Sequence, residues 1–331
     1  MRMPAESAPH ERTLMCWPAR PALYGELMAD AKAAHADVAQ AISAFEPVTM
    51  VAAPGSGEQA ADRCGPGVDV VELPIDDSWA RDTGPIYVVD AGALVALDFA
   101  FNSWGRKFAP WDDDDALAQR LAAHTGHRGV SVPMVLEGGA IAVDGEGTLV
   151  TTEQCLMHPN RNPELSRADI EAVLADHIGA EVTVWLPYGL ALDGDTDGHV
   201  DNVAAFVRSG VLLMQGCSDI GEDDWLRCNV NQRCARGALD AAGTPIDVVD
   251  IPVLPFTEID GQRVAVPYLN FYVGNGFVAV PTCGNDADDD MLALIGDLFP
   301  GRQVVGLDVG AVLAYGGGGI HCITQQIPLL S

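Results

Sequence analysis

The stretch RDTGPIYVVDAGALVALDF, residues 81–99, contains the pattern on which the predicted fold depends. A polar cluster leads into an apolar run, a turn containing Gly92 follows, and a second apolar run comes after the turn. Apolar and β-branched runs on either side of a short glycine turn are typical of a β-hairpin. The sequence therefore predicts a hairpin that is entered from a polar segment.

The same pattern recurs three times further along the chain. The copies are EGGAIAVDGEGTLVTTE at 137–153, DGHVDNVAAFVRSGVLLMQ at 197–215 and YLNFYVGNGFVAVPT at 268–282. A repeat every 50 to 70 residues or so, with helical segments between copies, indicates hairpin-plus-helix units around a common axis. An ordinary mixed α/β sheet remains the alternative interpretation of so faint a repeat.

The segments between the hairpins predict helices and one further strand. PVTMVAAP at 47–54 is typical of a short buried strand that ends in a turn at Pro54 and Gly55. Amphipathic or capped patterns predict helices at 24–45, 113–124, 166–177 and 286–298, with Ser166 and Asp169 as a capping box. Two acidic runs, near Asp112 and Asp286, are expected at helix N-termini. No long low-complexity linker divides the chain, so we expect a single domain over residues 1–331.

The composition restricts the class of partner. The 331 residues include 47 acidic and 18 basic side chains, which gives a formal charge of −29. Such a surface repels nucleic acids and anionic membranes and attracts small cations, although solubility or a salty cytoplasm would also account for the acidity. The chain has neither an apolar run of about 18 residues nor a secretory signal pattern, so we expect a soluble cytoplasmic protein.

The segment AYGGGGIHCITQQIP, residues 314–328, delivers one of the eight cysteines from a run of four glycines. Glycines are needed where the backbone takes a positive φ or approaches a ligand closely. Cys322 follows this run directly and is a candidate nucleophile. A tight turn with a buried cysteine is the structural alternative. The other cysteines form no CxxC pair and are expected to be mostly buried.

The segment DGDTDGHVDN, residues 193–202, holds a second candidate group. Its first half resembles a calcium-binding loop, but Ala204 stands where the bidentate Glu of that loop is required, which excludes calcium. His199 and Asp201 are separated by one residue, and on a strand both would face the same side. A histidine beside a carboxylate is typical of acid/base chemistry.

Two further segments supply an aromatic ring and carboxylates. DDSWARDTGP, residues 76–85, places Trp79 and Asp82 near the start of the first hairpin, a combination that suits a flat cation such as guanidinium. A salt bridge from Asp82 to Arg81 is the structural alternative. In LEGG, residues 136–139, Glu137 follows an apolar run and needs a partner, for which His199 is the candidate.

Zinc is the competing chemistry, because His199, Asp201, His321 and Cys322 are all potential metal ligands. The sequence contains no HExxH motif and no compact third ligand motif. We therefore expect no metal and no organic cofactor.

Taken together, six segments resemble the agmatine deiminase family, within the guanidine-modifying pentein superfamily that includes bacterial peptidylarginine deiminases. The resemblance extends over essentially the whole chain, and the matching segments follow in the family's order. They are MPAESAPHERTLMCWP from Met3, DDSWARDTGP, FNSWGRKFAPW, LEGGAIAVDGEGTLVTTEQCLMHPNRNP, DGHVDN and GGGGIHCITQQ.

The resemblance implies a fold, an activity and a set of site residues. The implied fold is α/β, a five-bladed α/β propeller. Cys322 would be the nucleophile, His199 the general acid/base, and Glu137 the residue that orients His199. Asp82 and Asp201 would bind the guanidinium nitrogens, and Trp79 and Gly318 would line the substrate pocket. The implied activity is hydrolysis of agmatine to N-carbamoylputrescine and ammonia through a covalent thiouronium, and a homo-oligomer is a further implication.

Three positions depart from the family's pattern. Asp195 stands where agmatine deiminases typically carry a Glu that helps to receive the distal amine, Ser7 where an aromatic residue is usual, and Ala142 where His is frequent. Another guanidine, namely arginine, a methylated arginine or peptidylarginine, is therefore an alternative substrate. A non-catalytic guanidine- or polyamine-binding protein is an alternative of another class.

Overall fold

The structure is a computed structural model that describes residues 1–330, and it contains all four predicted hairpins. The strands are β1 His10–Cys16, β2 Val48–Ala52, β3 Val68–Glu72, β4 Ile86–Asp90, β5 Ala93–Ala100, β6 Arg128–Val135, β7 Ile141–Val143, β8 Thr148–Thr152, β9 Val182–Leu186, β10 Ala204–Arg208, β11 Val211–Gln215, β12 Asp247–Ile251, β13 Phe256–Ile259, β14 Gln262–Ala265, β15 Tyr272–Gly274, β16 Phe277–Pro281, β17 Gln303–Leu307 and β18 Thr324–Pro328.

The predicted helices are present with small changes at their ends. The helices are α1 Pro21–Tyr24, α2 Met28–Ser43, α3 Gly57–Cys64, α4 Ala80–Thr83, α5 Ser103–Arg106, α6 Asp112–Asp115, α7 Leu117–Thr125, α8 Glu153–Leu156, α9 Arg167–Ile178, α10 Asp223–Arg236, α11 Asp288–Leu298 and α12 Gly310–Tyr315. Short 3₁₀ turns lie at Gly25–Leu27, Gly138–Ala140 and Val200–Asn202. The Ser166 capping box is confirmed, and both acidic runs lie in first helical turns.

Four units share one topology. In each unit an antiparallel hairpin is followed by one or more helices and then by a strand that pairs parallel to the second strand of the hairpin. The units are β4-β5-β6, β7-β8-β9, β10-β11-β12 and β15-β16-β17. Since a parallel connection needs a crossover while a hairpin needs only a tight turn, this order follows from the alternation of glycine turns and helical segments.

A fifth unit joins the two ends of the chain. β18 pairs antiparallel with β1, and β1 pairs parallel with β2 across helix α2, so the sheet order is β18-β1-β2-β3. Every residue of β18 is buried. The five predicted units are thus present as sheets, whereas their propeller arrangement and the single-domain boundary stay predictions.

Helix α2 shows how a helix covers its unit. Ala31, Ala34, Val38 and Ile42 recur at helical spacing and are at most 3% exposed, and the last three pack into the cluster around Met50 of β2. Each large side chain buried in this way stabilises the fold by about 1.5–3 kcal/mol.

Within residues 1–330, no helix combines the length and the apolar character needed to cross a membrane.

Candidate active site

The glycine-rich loop, residues 316–323, joins α12 to β18 and carries Cys322. Gly317 has a φ of +101°, a conformation that other residues rarely adopt. A Cβ on Gly318 would lie 2.5 Å from Cζ3 of Trp79 and 3.1 Å from Sγ of Cys322, so only glycine fits between the indole and the sulfur. As the sequence indicated, these glycines allow a positive φ at Gly317 and close packing at Gly318. Contact of Gly318 with the substrate stays a prediction.

Cys322 is buried and makes polar contacts on two sides. Its Sγ accepts a hydrogen bond from Nδ2 of Asn270 at 3.2 Å and lies 3.3 Å from Oδ2 of Asp201. Burial raises the pKa of the Cys322 thiol well above its ordinary value, and the charges of Asp201 and Asp82 raise it further. Without a bound cation, the sulfur is therefore a neutral thiol that donates to Asp201.

Two buried carboxylates, Asp82 and Asp201, lie beside Gly139. The N–H of Gly139 donates to Oδ1 of Asp82 at 2.9 Å, and a Cβ on Gly139 would lie 3.0 Å from Oδ1 of Asp82 and 3.0 Å from Oδ2 of Asp201. Nε1 of Trp104 donates to Oδ2 of Asp82 at 2.9 Å. Among residues 1–330, Oδ1 of Asp201 has no hydrogen-bond partner although it is buried. Oxygens placed in this way fit a planar cation with N–H donors along its edges.

The surroundings shift the pKa values of these two carboxylates in opposite directions. Burial raises the pKa of Asp82, and the negative charges of Asp201 and Glu137 raise it further. The positive charge of His199 acts in the opposite direction but does not outweigh them. Burial also acts to raise the pKa of Asp201, but the hydrogen bond and charge of His321 outweigh it and lower the value. Asp201 is therefore the carboxylate held most firmly in its charged form.

His199 is fully buried between two carboxylates. Its Nδ1 lies 3.9 Å from Oδ1 of Asp82, and its Nε2 lies 4.0 Å from Oε2 of Glu137. Burial acts to lower the pKa of His199, but the charges of Asp82 and Glu137 raise it well above the ordinary value. The ring is therefore an imidazolium at neutral pH and can donate a proton.

Glu137 has two charged partners, of which the sequence predicted one. Glu137 is completely buried, and its hydrogen-bonded partner is Arg161, whose Nε donates to Oε1 at 2.6 Å. The predicted partner, His199, lies 4.0 Å from the other oxygen, Oε2, which is an ion-pair distance but too long for a hydrogen bond. Arg161 also donates to the carbonyl of Thr196 at 2.9 Å and to Oδ2 of Asp197 at 2.7 Å. Arg161 thereby ties Glu137 to the segment that leads into His199.

A cavity of about 340 Å³ opens in front of Cys322. Its walls include the rings of Trp79, Trp104 and Phe108 and the side chains of Asp82, Asp195 and Cys322. Of the predicted site residues, Trp79, Asp82, Asp195 and Cys322 thus share one cavity, and Asp201 contacts Cys322 from the side. His199 and Glu137 do not line this cavity, and both side chains are completely buried.

The prediction that His199 and Asp201 lie on one strand is wrong. Residues 200–202 form a 3₁₀ turn, and β10 begins only at Ala204. Oδ2 of Asp193 accepts hydrogen bonds from the backbone N–H of His199 and from Nδ2 of Asn202, both at 3.1 Å, which stabilises the turn. The alternative salt bridge from Asp82 to Arg81 is also absent, since Arg81 pairs with Glu6 at 3.2 Å.

Sequence reasoning missed Asn270, Gly139, Trp104 and Arg161. A signal for Asn270 was available, because it stands just ahead of a predicted hairpin, as Asp82, Glu137 and Asp201 do. Trp104 carried no comparable signal. It lies in a turn in which Ser103, Trp104 and Arg106 all have φ between 52° and 68°, a conformation that residues other than glycine rarely adopt.

One group of side chains within residues 1–330 has donor atoms close enough to consider a metal ion. These are Glu137, Cys155 and His199, whose donor atoms lie within 4.8 Å of one another, all buried. The guanidinium of Arg161 already pairs with Glu137 and supplies the positive charge that a metal ion would bring. We therefore interpret this group as a hydrogen-bonding and ion-pairing cluster.

Comparison with known proteins gives consistent results. The model of the Porphyromonas-type peptidyl-arginine deiminase family matches residues 2–328. An agmatine deiminase of Stutzerimonas stutzeri is 42% identical, over 98% of this chain and 95% of that protein. One from Pseudomonas aeruginosa is 41% identical, over 99% of this chain and 95% of that protein.

Solved structures extend the comparison. The agmatine deiminase of Enterococcus faecalis has a TM-score of 0.96 at 32% identity, covering 100% of this chain and 96% of that one. A C. jejuni agmatine deiminase variant with substrate bound has a TM-score of 0.89 at 25% identity, covering 98% of this chain and 96% of that one. DDAH from P. aeruginosa, at a TM-score of 0.50 and 16% identity over 96% of this chain and 100% of that one, shares the fold.

Proposed function

The chain belongs to the Porphyromonas-type peptidyl-arginine deiminase family, and from this premise we propose that it is an agmatine deiminase in which Cys322 is the nucleophile. The observation that carries the proposal is the position of Cys322. Its Sγ lies 3.3 Å from Oδ2 of Asp201 and lines a cavity that contains the carboxylate of Asp82 and the ring of Trp79. The fold is that of the pentein hydrolases, and the reaction is hydrolysis of a C–N bond.

The carboxylates orient the substrate before any bond forms. A guanidinium carries N–H donors along its edges. Asp82 offers acceptor oxygens in the cavity that it shares with Cys322, and Asp201 offers them beside the sulfur. Two such ion pairs fix the plane of the cation and bring its carbon toward Sγ. The bound positive charge also lowers the pKa of the thiol, so that Cys322 releases its proton to solvent as the guanidinium binds and becomes the thiolate. The nucleophile is thus activated by its own substrate.

The chemistry then needs one acid/base group. The Cys322 thiolate attacks the guanidinium carbon, forming a C–S bond and a tetrahedral adduct. The imidazolium of His199 gives a proton to the departing nitrogen, the C–N bond breaks, and ammonia leaves a covalent thiouronium. Water attacks this carbon while neutral His199 accepts a proton, and cleavage of the C–S bond releases the ureido product, N-carbamoylputrescine. No step requires a cofactor.

The charges of the cavity favour agmatine over arginine. Asp77 and Asp195 line the cavity together with Asp82. Because Arg20 already pairs with Asp77 at 2.7 Å, Asp195 is the carboxylate that would attract a distal amine and repel the α-carboxylate of arginine. Lys107 holds the backbone near Asp195 by donating to the carbonyl oxygens of Gly194 and Asp195 at 2.7 and 2.9 Å.

We also propose that the protein acts in the cytoplasm and takes part in putrescine formation.

The decisive experiment replaces the nucleophile. Cys322→Ala should lower ammonia release from agmatine by several orders of magnitude, while Cys234→Ala, at an exposed cysteine of α10, should leave it unchanged. Mass spectrometry of the acid-quenched wild-type reaction should find the Cys322 peptide heavier by agmatine less one ammonia. Normal turnover by Cys322→Ala would end the proposal, and wild-type protein that binds agmatine without releasing ammonia would favour a binding protein.

A second experiment decides the substrate. The kcat/KM values for agmatine, arginine, a methylated arginine and an arginyl peptide should be highest for agmatine. Asp195→Glu should change kcat/KM for agmatine more than for the others, since Asp195 lines the cavity and stands where the family typically has the glutamate that helps to receive the distal amine. A higher kcat/KM for one of the other guanidines would reassign the substrate but keep the deiminase chemistry.

A further inference from the structure

Glu6 reaches the site from the N-terminal segment ahead of β1, although none of the predicted catalytic residues lies in that segment. Oε1 of Glu6 lies 2.8 Å from Nε2 of His321 and accepts a hydrogen bond from Arg81 at 3.2 Å. The other ring nitrogen of His321, Nδ1, lies 3.0 Å from Oδ2 of Asp201. The same oxygen of Asp201 lies 3.3 Å from Sγ of Cys322. Glu6, His321 and Asp201 therefore form a continuous row that ends at the nucleophile.

The position of His321 between two carboxylates determines its protonation. A neutral imidazole has only one N–H, whereas an imidazolium can donate from both nitrogens. Burial and the charge of Arg81 act to lower the pKa of His321, but Glu6 and Asp201 outweigh them and raise it. Against the effect of burial, His321 and Arg81 lower the pKa of Glu6 to about 2. His321 is therefore an imidazolium that donates to both acids.

Other charged or titratable groups also face Glu6, His321 or Asp201 and contribute to the electrostatic potential there. They are Arg81 and Asp82 from α4, His10 from β1, His199 ahead of the 3₁₀ turn, and Cys322 from the glycine-rich loop. Arg81 pairs with Glu6 and not with Asp201, so His321 is the hydrogen-bonded cation of Asp201.

The row has two effects on Asp201. The imidazolium occupies Oδ2 and leaves the buried Oδ1 without a partner among the described residues, available for the substrate. It also keeps Asp201 ionised, because protonating Asp201 would remove the acceptor of a charge-assisted hydrogen bond. Glu6 acts on Asp201 through His321, because it accepts the second N–H of the ring, and it pairs with Arg81 as well.

We propose that Glu6 and His321 are positioning residues for catalysis: Glu6 holds His321 as an imidazolium, and His321 fixes the rotation and negative charge of Asp201, the carboxylate that binds the guanidinium. This inference rests on the proposed function, since it assigns Asp201 to the substrate. It makes the segment ahead of β1 part of the active-site machinery.

A second cavity gives access to this row from behind the catalytic pocket. It is narrow and is lined by Glu6, Asp201 and His321 together with Ala142 and Phe206. A small molecule can therefore enter at the position of the imidazole ring if that ring is removed, which permits a rescue experiment.

The first test compares Glu6→Gln with Glu11→Gln, a substitution at an exposed glutamate in β1. Removing the charge of Glu6 lowers the pKa of His321, so the ring loses its proton, and with it the imidazolium that fixes Asp201, at a lower pH. The basic limb of the kcat/KM profile for agmatine should therefore move to lower pH by about one unit in Glu6→Gln. Glu11→Gln should retain the wild-type profile.

A second readout does not depend on turnover. In ¹⁵N NMR of the substrate-free protein, the His321 signals, assigned by their loss in His321→Asn, should show two protonated nitrogens to a higher pH in wild type than in Glu6→Gln. A neutral His321 in the wild-type protein at pH 7 would overturn the inference whatever the activity. A wild-type protein inactive toward every guanidine, but with the expected NMR titration, would overturn the proposed function alone.

A rescue experiment separates positioning from folding. His321→Ala should lose at least tenfold in kcat/KM, and imidazole added at millimolar concentration should restore part of this loss with its own pH dependence, because the second cavity lies beside the vacant position. If His321→Ala does not fold, the pH profile of Glu6→Gln and the NMR titration decide whether the inference holds. A basic limb identical in Glu6→Gln and Glu11→Gln, with normal activity in both, would refute it.

Discussion

At the scale of single residues, Gly139 lies where three functional side chains meet. A Cβ at this position would lie 2.5 Å from Nδ1 of His199 and 3.0 Å from oxygens of both Asp82 and Asp201. All three side chains are buried and held by their own contacts, so none can move away freely. Gly139 therefore determines how closely the acid/base and the carboxylates can approach one another.

Gly139→Ala should lower kcat/KM for agmatine by about 100-fold or more, because small misplacements of catalytic groups carry costs of that size. The matched control is Gly296→Ala in α11, where the new Cβ would make an ordinary 3.5 Å contact with Val304. That control should keep full activity and gain about 0.5–1 kcal/mol of stability, since alanine suits a helix interior better than glycine. Equal activity of the two variants would show that the crowding at Gly139 has no catalytic consequence.

The Cys322 thiol should be slow to react in the absence of substrate. Burial and neighbouring carboxylates raise its pKa, so little thiolate exists at pH 7. Peptide mapping after brief exposure to iodoacetamide should find exposed Cys234 modified before Cys322, and modification of Cys322 should increase with pH. Rapid alkylation of Cys322 at pH 7 would instead mean that the thiolate exists before the guanidinium binds.

At the scale of elements, the functional residues share one location. Asp82, Glu137, Asp201, Asn270 and Cys322 each lie within four residues of the strand that opens one of the five units, β4, β7, β10, β15 and β18. Three of these positions, Asp82, Asp201 and Cys322, lie in or shortly after a polar cluster or a glycine run. The equivalence of the units therefore explains why five distant segments supply one site, and why Asn270 could have been found.

Helix α2 contains a buried histidine, His35, that makes the folded protein less stable in acid. His35 is completely buried; its Nδ1 lies 2.8 Å from the carbonyl oxygen of Ala31, and burial lowers its pKa to about 4. Between the unfolded value of about 6.5 and this folded value, only the unfolded chain binds the proton, so stability must fall as pH falls. The loss from this group amounts to about 3 kcal/mol.

Urea unfolding between pH 7 and pH 4 should show this loss in the wild-type protein and a smaller loss in His35→Gln. His124→Gln, at an exposed histidine of α7, should retain the wild-type pH dependence. Parallel curves for the wild-type protein and His35→Gln would mean that the folded protein accommodates the charged ring.

At the scale of the whole molecule, the ends of the chain complete one unit. β18 supplies the antiparallel partner of β1, with all of its residues buried, and Cys322 lies two residues before it. Unpairing β18 would leave the edge of β1 without hydrogen-bond partners and would expose apolar surface. The same strand therefore closes the fifth sheet and positions the nucleophile.

Deleting residues 324–331 should prevent folding, seen as loss of the cooperative thermal transition in circular dichroism. Deleting only residues 330–331, which follow the backbone hydrogen bond from Leu329 to Pro9, should leave the transition within a few degrees of wild type. Cooperative unfolding at the wild-type temperature after the larger deletion would show that the remaining strands of this sheet suffice.

The sequence by itself determined the repeated hairpins, the helices between them and most of the residues that the site contains. These follow from local patterns, since side-chain alternation, glycine turns and capping residues act over a few neighbouring positions. Only the tertiary structure decided the pairs: Arg161 with Glu137, Asn270 with Cys322, and His321 with both Glu6 and Asp201. Glu6 and His321 are 315 positions apart, and a periodic pattern carries no information about which buried charge will meet which. Burial makes an unpaired charge costly, so the packed fold selects the partners that the sequence alone leaves open.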